Sequence, residues 1–240
     1  MRRILGCAFV SLDGVMQAPG GPTEDPTGGF RHGGWLPQFF DEGVGEAIDG
    51  FFRQPYDLLL GRRTYDIFAA YWPYVGQEPL GEGEKFDMLG KTGEEQGMIA
   101  MGDAFTKATK YVLTRSHPEL GWSNSQRVGS MEELAEIKRG DGPDMLIQGS
   151  TTLYPQLLAA GLIDRLTLMT FPALIGEGKK IFGEGTPARA MKLVDQKITG
   201  AGAVIATYEP AGAIEAGWAG PQIVSPREEA RQQAMQENRW

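Results

Sequence analysis

Three short stretches carry residue types suited to holding an anion. They are Gly61-Arg62-Arg63-Thr64, Leu113-Thr114-Arg115-Ser116 and Gly149-Ser150-Thr151-Thr152, and each continues directly from an apolar run. A glycine with hydroxyl residues where a strand turns into a helix leaves backbone N–H groups facing outward, and phosphate binds well there. The same residues also make ordinary helix caps, and a lone arginine also makes a solvated surface charge. Recurrence at three strand ends favours a site, because open parallel sheets bind ligands beyond the carboxyl ends of their strands. Arg62, Arg63 and Arg115 would then bring local positive charge to a chain of net charge −8. Two acids are candidates for proton transfer. Asp13 lies in the turn Ser11-Leu12-Asp13-Gly14, where a carboxylate also serves by bonding its own backbone. Asp41 lies at the start of a helix, where it also serves the helix dipole. Trp35, Phe39 and Phe40 could wall a planar substrate, and core packing would use them equally well.

These turns need elements to position them. Asp144 to Pro172 reads as a strand, a turn, a helix and a second strand, the unit from which parallel sheets are built. Met145-Leu146-Ile147 stops at Gly149, Leu153, Leu157 and Leu158 share one helical face, Gly161 closes the helix, and Leu166 to Met169 opens the next strand. Arg3 to Val10 predicts the first strand. Residues 17 to 34 follow, a Gly- and Pro-rich loop that is either a disordered insert or an active-site lid. Gln38 to Phe52 has helical apolar spacing. Tyr56 to Leu60 predicts a second strand, followed by a short helix that breaks before Trp72-Pro73. Residues 75 to 103, rich in Gly and Glu, read as a surface excursion. Lys110 to Thr114 predicts a third strand, and Met131 to Lys138 a helix with Ser130 and Glu133 as a capping box. Lys192 to Lys197 and Ala203 to Tyr208 pair as a closing antiparallel hairpin. The expected organisation is one domain over 1–210 and a linker with a polar helical tail over 211–240.

Composition excludes several classes. The 240 residues, 41% hydrophobic and 22% charged, suit a globular protein with a sizeable core. The acidic balance argues against nucleic acid as a partner. One cysteine, Cys7, excludes an intrachain disulfide and fits a small core residue. Two distant histidines leave no basis for a zinc site, so no metal is expected. No apolar run approaches membrane-spanning length and no signal peptide is evident, so a cytoplasmic location is the default expectation.

Taken together and in order, the motifs resemble the dihydrofolate-reductase-like superfamily, in its riboflavin-biosynthesis reductase (RibD C-terminal-like) branch. The resemblance runs from about Arg2 to Pro210. It rests on FVSLDGV at 9–15, LLLGRRTYDIF at 58–68 with YWP at 71–73, KYVLTRS at 110–116, DMLIQGSTTL at 144–153, AGLIDRLTLMTFPALIGEGKKIF at 160–182 and a last strand ending TYEP. It implies an α/β fold: a mixed, mainly parallel sheet with helices on both faces and a closing antiparallel hairpin. It also implies an NADPH-dependent reductase of a pterin-like or pyrimidine-like ring. On this resemblance Gly61, Arg62, Arg63 and Thr64 meet the cofactor phosphates. Leu113, Thr114, Arg115 and Ser116 hold the adenosine end and favour NADP over NAD. Gly149, Ser150, Thr151 and Thr152 cradle the pyrophosphate, and Ser11 to Gly14 lies by the nicotinamide.

Two departures stand out. Dihydrofolate reductases have a cis Gly-Gly where this chain has Gly149-Ser150. Their helix acid after the W-x-L-P element is out of register here with Asp41 and Glu42. Asp13 and Asp41 are therefore the two candidate proton donors, with Trp35 and Phe39 toward the substrate. The ribosylamino-pyrimidine of riboflavin synthesis is one alternative substrate, and a non-catalytic nucleotide-binding module is an alternative function. The resemblance further suggests a homodimer with the tail near its interface.

Overall fold

Eight strands form one sheet: β1 (Ile4–Ser11), β2 (Tyr56–Gly61), β3 (Lys110–Leu113), β4 (Ser125–Val128), β5 (Asp144–Gln148), β6 (Arg165–Phe171), β7 (Met191–Ile198) and β8 (Val204–Pro210). The computed structural model describes residues 1–77 and 94–239. The strand order is β4-β3-β2-β5-β1-β6-β8-β7. The first six neighbours are parallel, and β8 and β7 close the sheet antiparallel. The apolar runs explain the parallel centre. Leu58, Leu59 and Leu60 are all fully buried, as are Met145 and Ile147, and strands covered on both faces need such continuous runs. Edge strand β7 is exposed along nearly its whole length.

Helices cover both faces. Leu59, Met145 and Ile147 pack with Leu134, Leu153 and Leu157 from α4 (Met131–Arg139) and α5 (Leu153–Ala159). The alternate residues Leu58, Leu60 and Leu146 face Tyr65 of α2 (Arg62–Tyr71) and Phe105 of α3 (Glu94–Lys107). On that same side α1 (Glu42–Phe52) buries Val44 beside Phe171 and Trp35. The expected mixed sheet with its closing hairpin is therefore the observed one. No helix among the described residues is long and apolar enough to cross a membrane.

Several local expectations change. The helix expected from Gln38 begins at Glu42, preceded by a 3-10 turn over Pro37–Phe39, so Asp41 is the N-cap and not a first-turn residue. Residues 78–93 of the expected 75–103 excursion lie outside the described residues. From Glu94 onward the chain is α3, which the glycines at 97 and 102 obscured. Phe105 of α3 is the hub of an aromatic cluster, with Trp72 at 4.8 Å, Phe52 at 5.3 Å and Phe68 stacked at 5.9 Å between centroids. Strand β4 was not foreseen, since Ser-Gln-Arg-Val has no apolar run. The Gly- and Pro-rich loop after β1 is ordered: Trp35 Nε1 donates to the Gln17 carbonyl at 3.0 Å, and Gln17 Nε2 donates to the carbonyls of Asp25 and Thr27, both at 2.9 Å. Beyond Pro210 the chain is exposed up to α6 (Pro226–Gln236), which buries no residue.

The amino ends of the strands are tied by one buried cation. Arg2, 4% exposed, pairs with Asp57 of β2. It also donates to the Tyr111 hydroxyl of β3 at 3.0 Å and to the Pro143 carbonyl before β5 at 2.6 Å. Asp57 in turn accepts from Thr109 N at 3.1 Å. Removing one partner of a buried ion pair leaves the other charge desolvated. Arg2→Leu is therefore expected to cost about 3–5 kcal/mol of unfolding free energy, and adding Asp57→Leu to recover much of it. Urea denaturation of both variants checks this.

Candidate functional site

The carboxyl ends of β1, β2, β3 and β5 open into a cleft of about 1910 Å³. Its centre is the meeting of two turns. Because β2 and β5 are hydrogen-bonded neighbours, the Gly61 turn and the Gly149 turn leave the sheet side by side. A Cβ on Gly61 would sit 2.1 Å from Ser150 Oγ, so a larger residue would force that hydroxyl to move. A Cβ on Gly149 would meet Thr64 Cγ2 at 3.0 Å. The hydroxyls of Thr64 and Ser150 are hydrogen-bonded at 2.9 Å. Gly149 and Ser150 both adopt positive φ, 69° and 72°, and no peptide among the described residues is cis. The Gly149-Ser150 turn is thus built from two successive left-handed residues.

The start of α2 has no side-chain cap and no acid in its first turn. Its free N–H groups and dipole face the cleft, which is the arrangement that favours an anion. Arg62 is held by Asp66 at 2.8 Å, whereas the exposed side chains of Arg63 and Arg115 have no partner among the described residues. The third turn closes the same cleft. Leu113, Thr114 and Arg115 line it, and Ser116 lies just behind, its hydroxyl 2.9 Å from that of Thr114. The unforeseen β4 contributes here. Its Arg127 donates to the carbonyl oxygens of Ser116 at 2.6 Å and Arg115 at 3.3 Å, which sets the shape of that turn. Gly129 to Glu132 also border the cleft, but the start of α4 is already capped by its own Ser130 and Glu133 side chains. Gln148 at the end of β5 adds a buried Nε2 with no hydrogen-bond partner, beside the cleft. Of the twelve residues expected to hold a nucleotide, all but Ser116 line one cavity.

The four residues assigned to chemistry and substrate lie elsewhere. Asp13 does not line the cleft. It accepts from Ser11 Oγ at 2.7 Å, Ile175 N at 3.1 Å and Gly176 N at 2.8 Å, fastening the turn after β1 to the loop after β6. The Ser11 hydroxyl, against the cost of burial and with help from those two amides, lowers its pKa to about 2. A group held so firmly as carboxylate is a poor acid. Asp41 caps α1, accepting from Val44 N at 2.9 Å, and ties it to the hairpin through Ala201 N at 2.7 Å. The Ala201 and Val44 amides lower its pKa as well. Trp35 is 6% exposed and packs edge-on against Phe171, and Phe39 packs on the same ring at 6.4 Å. Leu36 and Phe40, their neighbours, are the residues that reach the cleft.

Sequence reasoning missed the wall formed by residues 16 to 25. Gln17, Glu24 and Asp25 line the cleft together with Lys179. Lys179 Nζ pairs with Asp25 at 2.5 Å and donates to Thr27 Oγ1 at 2.7 Å. Burial opposes ionisation of Asp25, but the bonds from Lys179 and Thr27 more than offset it and lower its pKa. Burial raises the pKa of Glu24, which has no cationic partner among the described residues. One signal was available: Glu24 and Asp25 are the only acids in the loop 17 to 34, which already read as a lid.

Comparison with known proteins agrees with this geometry. The family profile described as RibD C-terminal domain matches residues 4–206. The chain is similar to the uncharacterized protein YyaP of Bacillus subtilis (strain 168), 24% identical over 215 residues that cover 86% of this chain and 94% of that protein. A dihydrofolate reductase from Enterococcus faecalis, solved with NADP(H), superimposes with TM-score 0.50 at 16% identity, over 87% of this chain and 96% of that one. A Thermotoga maritima diaminohydroxyphosphoribosylaminopyrimidine deaminase/5-amino-6-(5-phosphoribosylamino)uracil reductase superimposes with TM-score 0.52 at 15% identity. That match covers 88% of this chain and 57% of the Thermotoga protein. At such identities the two structures speak for the fold.

The Asp13 geometry makes a pH-dependent prediction. A carboxyl whose folded pKa lies below its ordinary value stabilises the fold above the unfolded pKa, and that contribution fades as pH falls through the folded one. With the Asp13 pKa lowered from 3.8 to about 2, the wild type is expected to lose stability across that window. Asp13→Asn is expected to show a flatter profile there and a lower melting temperature at neutral pH. Thermal melts from neutral to acid pH check both.

Proposed function

Because the chain belongs to the RibD C-terminal domain family, we propose that it is an NADPH-dependent reductase of a pterin-like or pyrimidine-like ring. The observation that carries this reading is the joining of the uncapped α2 start, the Gly149 to Thr152 turn and the Arg115 turn in one cleft that continues into an apolar, aromatic half. The residues present fit the cofactor. Gly61 and Gly149 keep the backbone bare, and among the described residues the Arg63 and Arg115 side chains have no partner and the buried Gln148 Nε2 lacks an acceptor. Gly61 to Thr64 and Gly149 to Thr152 would hold the bridging phosphates, and Arg115, on the turn shaped by Arg127, the phosphate at the adenosine end. When bound, the cofactor supplies the hydride, and the protein supplies binding and orientation. With Asp13 and Asp41 engaged outside the cleft, water carries the proton to the reduced ring.

A binding module without turnover would need only the nucleotide half. The cleft is also lined by Leu36, Phe40, Ile48, Ile67, Tyr71 and Met98, an apolar surface beyond what a nucleotide needs, which favours an enzyme. NADPH oxidation measured against a panel of pterins and pyrimidines tests the two readings, and turnover on none of them would favour the module. The same proposal includes a homodimer. Trp218, Ile223 and Val224, between β8 and α6, are each at least 67% exposed. Truncation after Pro210 is expected to halve the mass measured by light scattering, and an unchanged mass would remove the tail from the interface.

Arg115 separates the cofactors. Loss of a charge-assisted contact to a phosphate is worth about 1.5–3 kcal/mol, or roughly 10- to 100-fold in affinity. Arg115→Ala is expected to weaken NADPH by that factor and NADH far less, as measured by fluorescence titration. Equal weakening of the two would count against a phosphate at Arg115.

A further inference from the structure

We propose that Arg127 is a positioning residue for the choice of nucleotide, holding the third turn in the shape from which Arg115 meets a phosphate on the adenosine ribose. This deepens the reductase reading and rests on it. Strand β4 is a polar edge strand in parallel register with β3, with Val112 beside Arg127 and Leu113 beside Val128. Its last two residues both grip the turn that follows β3. Val128 O accepts from Thr114 N at 3.0 Å. Arg127 donates from Nε to Ser116 O at 2.6 Å and from Nη2 to Arg115 O at 3.3 Å. A guanidinium is a rigid planar fork, so this one side chain fixes two successive carbonyl groups. Peptide units are planar and, in this turn, trans. The same contacts therefore also fix the directions of the Ser116 and His117 N–H groups, and Ser116 N is turned to Thr114 Oγ1 at 3.3 Å.

The guanidinium also has a seat made for it. A Cβ on Gly129, which lines the cleft, would sit 2.9 Å from Arg127 Nη1 and 3.0 Å from Nη2. Gly129 is not at positive φ, so what glycine provides there is room for the arginine. Arg127 directs its hydrogen bonds to carbonyl oxygens and makes no ion pair among the described residues. Its positive charge therefore stays uncompensated on the same turn as that of Arg115. A turn fixed before the ligand arrives pays less ordering entropy when a phosphate binds. Without Arg127, Arg115 would stand on a backbone held by Thr114 N alone, and its contact to the phosphate would weaken. The rest of the nucleotide, held by the Gly61 and Gly149 turns, would be affected far less.

The test is equilibrium binding of NADPH and NADH to the full chain by fluorescence titration, with 2′,5′-ADP and 5′-AMP as competitors that probe the adenosine end alone. Arg127→Lys keeps the charge and loses the fork, Arg127→Ala loses both, and Gly129→Ala keeps the arginine but displaces it. All three are expected to weaken NADPH and 2′,5′-ADP about tenfold and NADH and 5′-AMP far less. Because Arg127 acts through the turn that carries Arg115, the double variant Arg115→Ala/Arg127→Ala is expected to lose little more than Arg115→Ala alone. A wild-type preference in Arg127→Lys would leave Arg127 a mere point charge and overturn the proposal. So would additive losses in the double variant, or a lower melting temperature with equal weakening of all four ligands, the mark of a purely structural role. A wild type that binds neither NADPH nor NADH would sink the reductase reading and this inference with it. An NADPH preference that survives in the Arg127 variants would sink this inference alone.

Discussion

The architecture of the cleft depends on one close approach, between Gly61 and Ser150. Two neighbouring parallel strands end at the same level, and the turns that follow them must share the space above the sheet. A Cβ on Gly61 would meet Ser150 Oγ at 2.1 Å and displace that hydroxyl from the 2.9 Å bond it shares with Thr64. With the two turns in contact, the amides of the α2 start and of the Gly149 to Thr152 turn face one volume. Fixed partial charges aimed at one point need no reorganisation when an anion arrives, which makes such a site effective. Tyr154 extends the same packing toward β1. Its hydroxyl donates to the Cys7 carbonyl at 3.0 Å, and a Cβ on Gly6 would sit 2.8 Å from its ring. The floor of the cleft is thereby locked to the turn beside it.

Around this centre the cleft carries charges of both signs. The turns after β2 and β3 carry Arg63 and Arg115, whose side chains have no partner among the described residues, while Glu24, Asp25 and Asp49 also line the cleft and its lysine, Lys179, is bound to Asp25. The arginines sit on the turns after β2 and β3, with Asp66 and Glu132 lining the same cleft beside them, and Glu24, Asp25 and Asp49 line it from the loop after β1 and from α1.

The loop after β1 is the other organising feature. A segment so rich in glycine and proline carries a large entropy cost of ordering, yet it is held at several points. Asp13 grips the amides of Ile175 and Gly176, Met16 N donates to the Lys179 carbonyl at 3.0 Å, and Gln17 Oε1 accepts from Lys179 N at 3.0 Å. Polar side chains that might have done chemistry instead immobilise the wall from which Glu24 projects. Asp41 does the same on the other side, joining α1 to the hairpin turn.

The sequence by itself determined the sheet, most helices and the three turns that meet at the cleft, because those signals are local. Unbroken apolar runs such as Leu58 to Leu60 specify buried parallel strands. A glycine followed by arginine or hydroxyl residues at a strand end specifies an exposed turn whatever lies across from it. Other features are decided only by long-range contact. Ser125 to Val128 joins the sheet because β3 offers an open edge, and nothing in its composition announces it. Asp13 and Glu24 have the same carboxyl chemistry in the sequence. Asp13 is held by amides delivered from 162 and 163 residues away, whereas Glu24 lines the cleft and accepts from the amides of its own loop. Trp35 and Phe40 are likewise both aromatic, and the orientation of the 3-10 turn between them sends one into the core and the other to the cavity. Which acid lines the cleft and which one staples a loop is a matter of partners brought together by folding, so only the tertiary structure distinguishes them.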